Sequence, residues 1–223
     1  MRWCNRNIIM KIDLPVYTTK LPVKNTTVEF TPIIVKEEKN IIAAKETGSN
    51  KDGYNTLLKI LENKTNMKVR DLSETDIIHL ILELRKKSIG EQFKTSFNCP
   101  KTNEKVEIDV NITDVELIGT CKESTIKSGD LIVHIKMPSD FSETISAISS
   151  VETTEEKIDF DSISDNEKQE IIDSFPVSLN NEIRDKIKTL YHYLYVIDYT
   201  TNDTTRRIKL SSAEDFFTLL FAM

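Results

Sequence analysis

Cys99 and Pro100 fall where a tight turn is expected between two alternating apolar stretches, and a thiolate there resembles half of a zinc knuckle, in which ligands on one turn face a second pair. The other half is missing. No Cys or His follows within four residues, Cys121 stands alone, and Cys4 is the only other thiol. A buried, unreactive cysteine is the alternative reading. His79, His134 and His192 are each isolated: on the polar side of a predicted helix, on the outer face of a predicted strand and in a tyrosine-rich helix end. None has a serine or cysteine beside it in a nucleophile and base arrangement. Glu37-Glu38 and Glu155-Glu156 could supply a general acid and base, but lysines flank both pairs and they read as solvated surface. The five glycines form no phosphate-binding loop. No catalytic, cofactor-binding or metal residue is assigned, and a non-enzyme is expected. The competing readings are a small metal-binding enzyme or a generic cytosolic adaptor built on the Cys99 hairpin.

One group could bind a partner. Tyr191, Tyr193, Tyr195 and Tyr199 recur at odd positions, with Phe216, Phe217 and Phe221 following them. They form either a small aromatic core for the C-terminal part or an exposed docking surface carried by Phe216, Phe217 and Phe221.

The elements that must position these residues follow from periodicity. Ser73 with Asp76 caps a helix in which Ile77, Ile78, Leu80, Ile81, Leu82 and Leu84 cover roughly 200° of the wheel, too wide for a surface helix. Gly90 ends it. Phe93, Thr95, Phe97 and Cys99, then Val106, Ile108, Val110 and Ile112, form a hairpin with one apolar face. Upstream, 16–21 and 27–31 read as a hairpin around Lys24-Asn25, 36–47 as a helix stopped by Gly48, and Tyr54, Leu57, Leu58 and Leu61 as an amphipathic helix after a polar 48–53 loop. The broad helix at 77–84 is its expected partner. Leu131 to Met137 alternates as a strand, and Pro138-Ser139 opens a helix carrying Phe141, Ile145 and Ile148. Ser164 with Glu167 caps a helix to Phe175, and Ser178 opens another whose stripe runs through Leu179, Ile183, Ile187, Leu190 and Leu194. Tyr195–Tyr199 and Arg206–Leu210 form a last hairpin, and Ser212 with Asp215 caps a final apolar helix. The fold class is α+β, amphipathic helices packed with β-hairpins, with two similar helix-then-hairpin modules. The predicted organisation is an N-terminal extension at 1–15, an α+β domain at 16–149 and a helix-hairpin-helix module at 150–223. Met1 to Ile9, with Trp3, reads as a loosely held extension or a misassigned start ahead of Met10.

A net charge of −6, 30% charged and 39% hydrophobic residues describe a folded soluble chain. Lysines and arginines are scattered among acids, which argues against nucleic acid. No apolar run is long enough to span a bilayer, so no membrane is expected, and three cysteines form no disulfide framework.

A resemblance covers most of 16–221. Val28-Glu-Phe-Thr-Pro-Ile-Ile-Val-Lys-Glu-Glu-Lys-Asn-Ile-Ile-Ala-Ala-Lys-Glu46 resembles the opening of the baseplate hub assembly proteins of T-even-like contractile-tailed phages. Asp76-Ile-Ile-His-Leu-Ile-Leu-Glu-Leu-Arg-Lys-Lys-Ser-Ile-Gly-Glu91, the Cys99-Pro100 hairpin, Met137-Pro138 and Asp215-Phe-Phe217 follow in that family's order. The resemblance implies a late, non-enzymatic viral protein that builds the tail baseplate hub through contacts with other hub or tail proteins. It places the protein in the host cytoplasm during assembly, and leaves open whether it stays at the virion tail baseplate or only assists in building it. Some relatives resembled here hold cysteine pairs at both hairpin turns, whereas this chain keeps Cys99 alone.

Overall fold

The computed structural model describes residues 13–221; the extension with Trp3 and Met10 lies outside the described residues. A hairpin of β1 (Tyr17–Lys20) and β2 (Thr27–Phe30) leads into α1 (Val35–Thr47) and α2 (Asn50–Thr65). Next, α3 (Glu74–Ser88) feeds the ribbon of β3 (Gln92–Asn98) and β4 (Lys105–Asn111), followed by β5 (Glu116–Ile118). Then come β6 (Ser124–Ser128), β7 (Leu131–Ile135), the single turn α4 (Thr144–Ala147), β8 (Ile148–Glu152), β9 (Lys157–Asp159), α5 (Asp165–Asp173) and α6 (Val177–Ile187). The order ends with β10 (His192–Thr201), β11 (Thr204–Leu210) and α7 (Ala213–Leu220). The fold class is α+β, as expected: the strands form small antiparallel sheets, β1-β2, β3-β4, β11-β10-β5 and β6-β7-β8-β9. Both predicted helix-then-hairpin units are present, α3 with β3-β4 and α6 with β10-β11.

Buried side chains separate into two main cores. The first joins residues from Leu21 to Ile112 with residues from Tyr193 to Phe221. The second draws only on 121–190, with Val133, Ile148, Phe160, Leu179, Ile183 and Leu190 at its centre. The chain therefore carries an inserted unit. It leaves the first core after β5 and returns at β10 through a neck in which the Thr120 amide donates to the Thr189 carbonyl (2.9 Å) and the Tyr191 amide to the Cys121 carbonyl (3.0 Å). Gly119 has φ +111° there, and a Cβ would collide with the Leu190 carbonyl, so the two strands of the neck can pass this closely only with glycine.

Against this arrangement, the predicted division at 149/150 needs correcting. It cuts through β8, a strand with Ile148, Ser150 and Val151 buried in the second core. Residues 150–223 build no core of their own: 150–190 complete the insert and 193–221 complete the first core. The serines that made 149–157 look like a linker are small enough to lie inside a sheet between β7 and β9.

Other departures have local causes. The loop predicted at 48–53 is the start of α2, because Ser49 and Asp52 form a reciprocal capping box. The predicted helix after Pro138 shrinks to α4, since Ile148 is needed as a strand residue opposite Ile135. The stripe predicted through Leu194 ends at Ile187; Leu194 belongs to β10 and pairs with Glu116.

The third helix meets the expectation of burial on most sides, with all six of its named aliphatic residues at or below 7% exposure. Its main helical partner is α7, against which α2 also packs; α2 was expected to meet α3 directly. Phe216 and Phe217 are 0% exposed, and Phe217 lies 5.8 Å from Tyr54 and 5.6 Å from Phe221 between ring centroids. Phe217→Ala is therefore expected to cost about 3–5 kcal/mol, read as a lowered urea midpoint; an unchanged midpoint would contradict this placement.

Candidate docking site

The first turn of α3 buries two carboxylates, Glu74 and Asp76. Ser73 accepts from the Asp76 amide at 3.2 Å, the cap read from the sequence. The Asp76 carboxylate does not reach back to complete a local box. It accepts instead from the Val23 and Lys24 amides, at 2.9 and 3.0 Å, fixing the tip of the β1-β2 hairpin. Glu74, two residues earlier, accepts from the Ala213 amide at 2.7 Å and from the Phe141 amide, so one carboxylate joins the start of α7 to the inserted unit. Thr75 donates to the Tyr191 carbonyl at 2.7 Å. Burial pushes the Glu74 carboxyl above its usual range, and the two amide donors pull the other way. At the far end of α3, Arg85 Nε donates to the Leu220 carbonyl at 3.1 Å, with its guanidinium 4.6 Å over the Phe93 ring. An acid at the first amide of α7 and a cation at its last carbonyl match both ends of that helix's dipole.

The two ribbon tips meet. Cys99 is 1% exposed, its Sγ 3.4 Å from the Tyr199 hydroxyl and 3.9 Å from Thr201 Oγ1, in a third small cluster with Val106. Hydrogen bonds from Thr102 and then Tyr199 hold the thiol down to about 6, against the opposing effect of burial. Among the described residues, no group of three or more His, Cys, Asp or Glu side chains could hold a metal ion.

The histidines are brought to three different places. His79, read as lying on a polar helix face, is part-buried with Nε2 2.7 Å from Thr19 Oγ1 and Nδ1 2.7 Å from the Tyr193 hydroxyl, joining β1, α3 and β10. Burial lowers its pKa. His134 lies 3.4 Å from Glu152, and His192 sits on a strand, its Nδ1 2.8 Å from the Leu190 carbonyl. Glu37 pairs with Lys64 at 2.8 Å and also caps α1 through the Ile34 amide. Phe216, Phe217 and Phe221 all lie in the first core with residues of α2 and α3, so the exposed docking surface read for them is corrected, and the core they fill is wider than the small C-terminal one read as its alternative. Their spacing alone could not separate these readings, because both require a strongly amphipathic helix.

Sequence reasoning missed a cleft of about 1230 Å³ between the cores, walled by Arg70–Ser73 on one side and by α4, α5 and α6 on the other. Two of its lysines are already paired, Lys136 with Asp161 at 2.7 Å and Lys168 with Asp165 at 2.8 Å. Asp71, Glu143 and Asp173 also line it and are exposed. The only early signal was uneven charge. Residues 121–191 hold 15 acidic and 8 basic side chains, whereas the rest of the chain holds 21 and 22, so the insert carries the molecule's negative charge. Among the described residues no helix is long and apolar enough to cross a membrane.

Compared with known proteins, residues 14–218 match a family described as T4 bacteriophage base plate protein. No curated protein and no solved structure matches the chain.

Two outcomes are expected from this geometry. Because its folded pKa is raised, Glu74 favours the native state most below its unfolded pKa, and that contribution is lost as pH rises through the folded pKa. Glu74→Gln should therefore flatten the fall of stability with pH in that window, measured by urea unfolding; an identical slope would rule it out. Cys99 should form thiolate, followed by ultraviolet absorbance, with a midpoint about 6 that moves upward in Tyr199→Phe. A midpoint unmoved by that change would discount the hydroxyl's role.

Proposed function

The chain belongs to the T4 bacteriophage base plate protein family, and from that premise we propose that it acts without enzymatic chemistry in assembling the hub of a contractile tail's baseplate. The observation that carries this reading is the span of the match: 14–218 takes in the second core, the neck and all of the first core but the end of α7 and Phe221. It is supported by where the buried ionisable groups go. Glu74 and Asp76 are occupied by backbone amides of the chain itself and Arg85 Nε by a backbone carbonyl, which ties distant segments together. A surface assembled from two cores joined through one helix turn suits recognition of other tail proteins.

On this reading the protein meets its partners in the cytoplasm of the infected host and acts at the tail baseplate. A phage with the gene disrupted should accumulate heads without tails in electron micrographs of lysates, and supplying the wild-type gene should restore whole particles. Normal numbers of intact tails without the gene would refute the proposal.

A further inference from the structure

We propose that the gap between β4 and β10 receives an extended strand of another tail protein, an inference that rests on the baseplate reading above. The two ribbons bring their apolar faces together, yet among the described residues no hydrogen-bonded ladder joins β4 to β10. Hairpin geometry decides which main-chain groups line the gap. Asn202 and Asp203, with φ 49° and 56°, make a two-residue turn, so Thr201 and Thr204 are a hydrogen-bonded pair. Every second residue back along β10, Thr200, Asp198 and Val196, therefore turns its amide and carbonyl away from β11. This is the edge that β5 takes at His192–Leu194, and beyond β5 no described strand takes it. In the other ribbon the Cys99 amide donates to the Glu104 carbonyl (2.8 Å) and the Ile112 amide to the Glu91 carbonyl (2.9 Å), which leaves Lys105, Glu107 and Asp109 of β4 turned away from β3.

Both edges open on one gap of about 430 Å³, with Glu107 and Asp109 on one wall and Val196, Asp198 and Thr200 on the other. Its floor is apolar, made by Val106, Ile108, Ile197 and Tyr199. A chain lying here bonds its backbone to the free edges, as in β-strand addition, and its side chains face floor and solvent in turn. The floor selects apolar residues at every second position. On the solvent side Asp109 and Asp198 are paired within their own ribbons, with Lys94 and Arg207, whereas Glu107 joins no ion pair among the described residues and favours a lysine or arginine beside it. A second copy of the described chain does not supply such a strand: each of its strands already pairs along one side, and the gap needs one free along both. The occupant is therefore an extended segment of a different protein.

The test places a photo-crosslinking residue at Glu107, at Thr200 and, on the far strand of the same ribbon, at Thr205, in separate full-length variants. Each is irradiated in cells assembling tails, and the adducts are digested and read by mass spectrometry. The expected result is that Glu107 and Thr200 both join to one stretch of about seven residues in a tail protein, with apolar residues at alternate positions. Val196→Pro removes an amide that faces the gap and should lower both yields roughly tenfold. Lys209→Pro removes the amide of its cross-strand partner, which faces the opposite edge, and should leave the yields within about twofold while both melts are retained. Should either proline variant melt early, the adduct map on the otherwise unchanged chain decides alone. Adducts to separate stretches, to a second copy of this chain or to its own residues 1–12, no adducts, equal losses from two prolines whose melts are retained, or tail-protein adducts from Thr205 alone would overturn the strand proposal and leave the baseplate reading standing. Adducts to host proteins alone would overturn both.

Discussion

Everything in this molecule leans on the first turn of α3, where two carboxylates are withdrawn from water. Glu74 is 5% and Asp76 1% exposed. An uncompensated buried carboxylate would cost several kcal/mol, and here four backbone amides offset that cost, for Glu74 in part. Those amides come from three segments far apart in sequence: the first hairpin's tip, the loop before α4, and the start of α7. Because charged acceptors make stronger bonds than neutral ones, each segment is positioned by geometry as well as by apolar contact. The turn thus does for polar groups what the six aliphatic residues of α3 do for apolar ones.

The relation between α3 and α7 extends that logic along a helix. Glu74 takes the first amide of α7 and Arg85 its last carbonyl, so one helix holds both unsatisfied ends of another. Between those ends Phe216, Phe217 and Leu220 fill the space against α2 and α3. Polar ends and an apolar middle make the docking of α7 specific in register as well as favourable, and a slip of one residue would leave both termini unpaired.

Much of this was readable from residue order. Serine caps with an acid three places on gave the starts of α3, α5 and α7, because that signal is local. The ribbon at 92–111 was legible from strict alternation, which the observed pairing of Phe93 with Val110 and Phe97 with Val106 reproduces. What stayed hidden depended on partners distant in the chain. Nothing near Asp76 says that its carboxylate serves Val23 and Lys24, and nothing in the serines of 149–150 says that strands will cover them on either side. The cleft is hidden for the same reason: its walls, Arg70–Ser73 and α5, are almost a hundred residues apart. His79 has polar neighbours on its own helix, while the Thr19 and Tyr193 hydroxyls that bury it come from 60 and 114 residues away.

The neck at Gly119–Cys121 and Thr189–Tyr191 has a consequence for synthesis on the ribosome. Since α7 and β10 emerge only after the insert, the leading half of the chain must wait with an open apolar groove along α3 while a self-contained sheet and its helices are completed behind it. Order of manufacture and order of closure are thereby reversed: the middle finishes early, and the beginning is sealed by the tail.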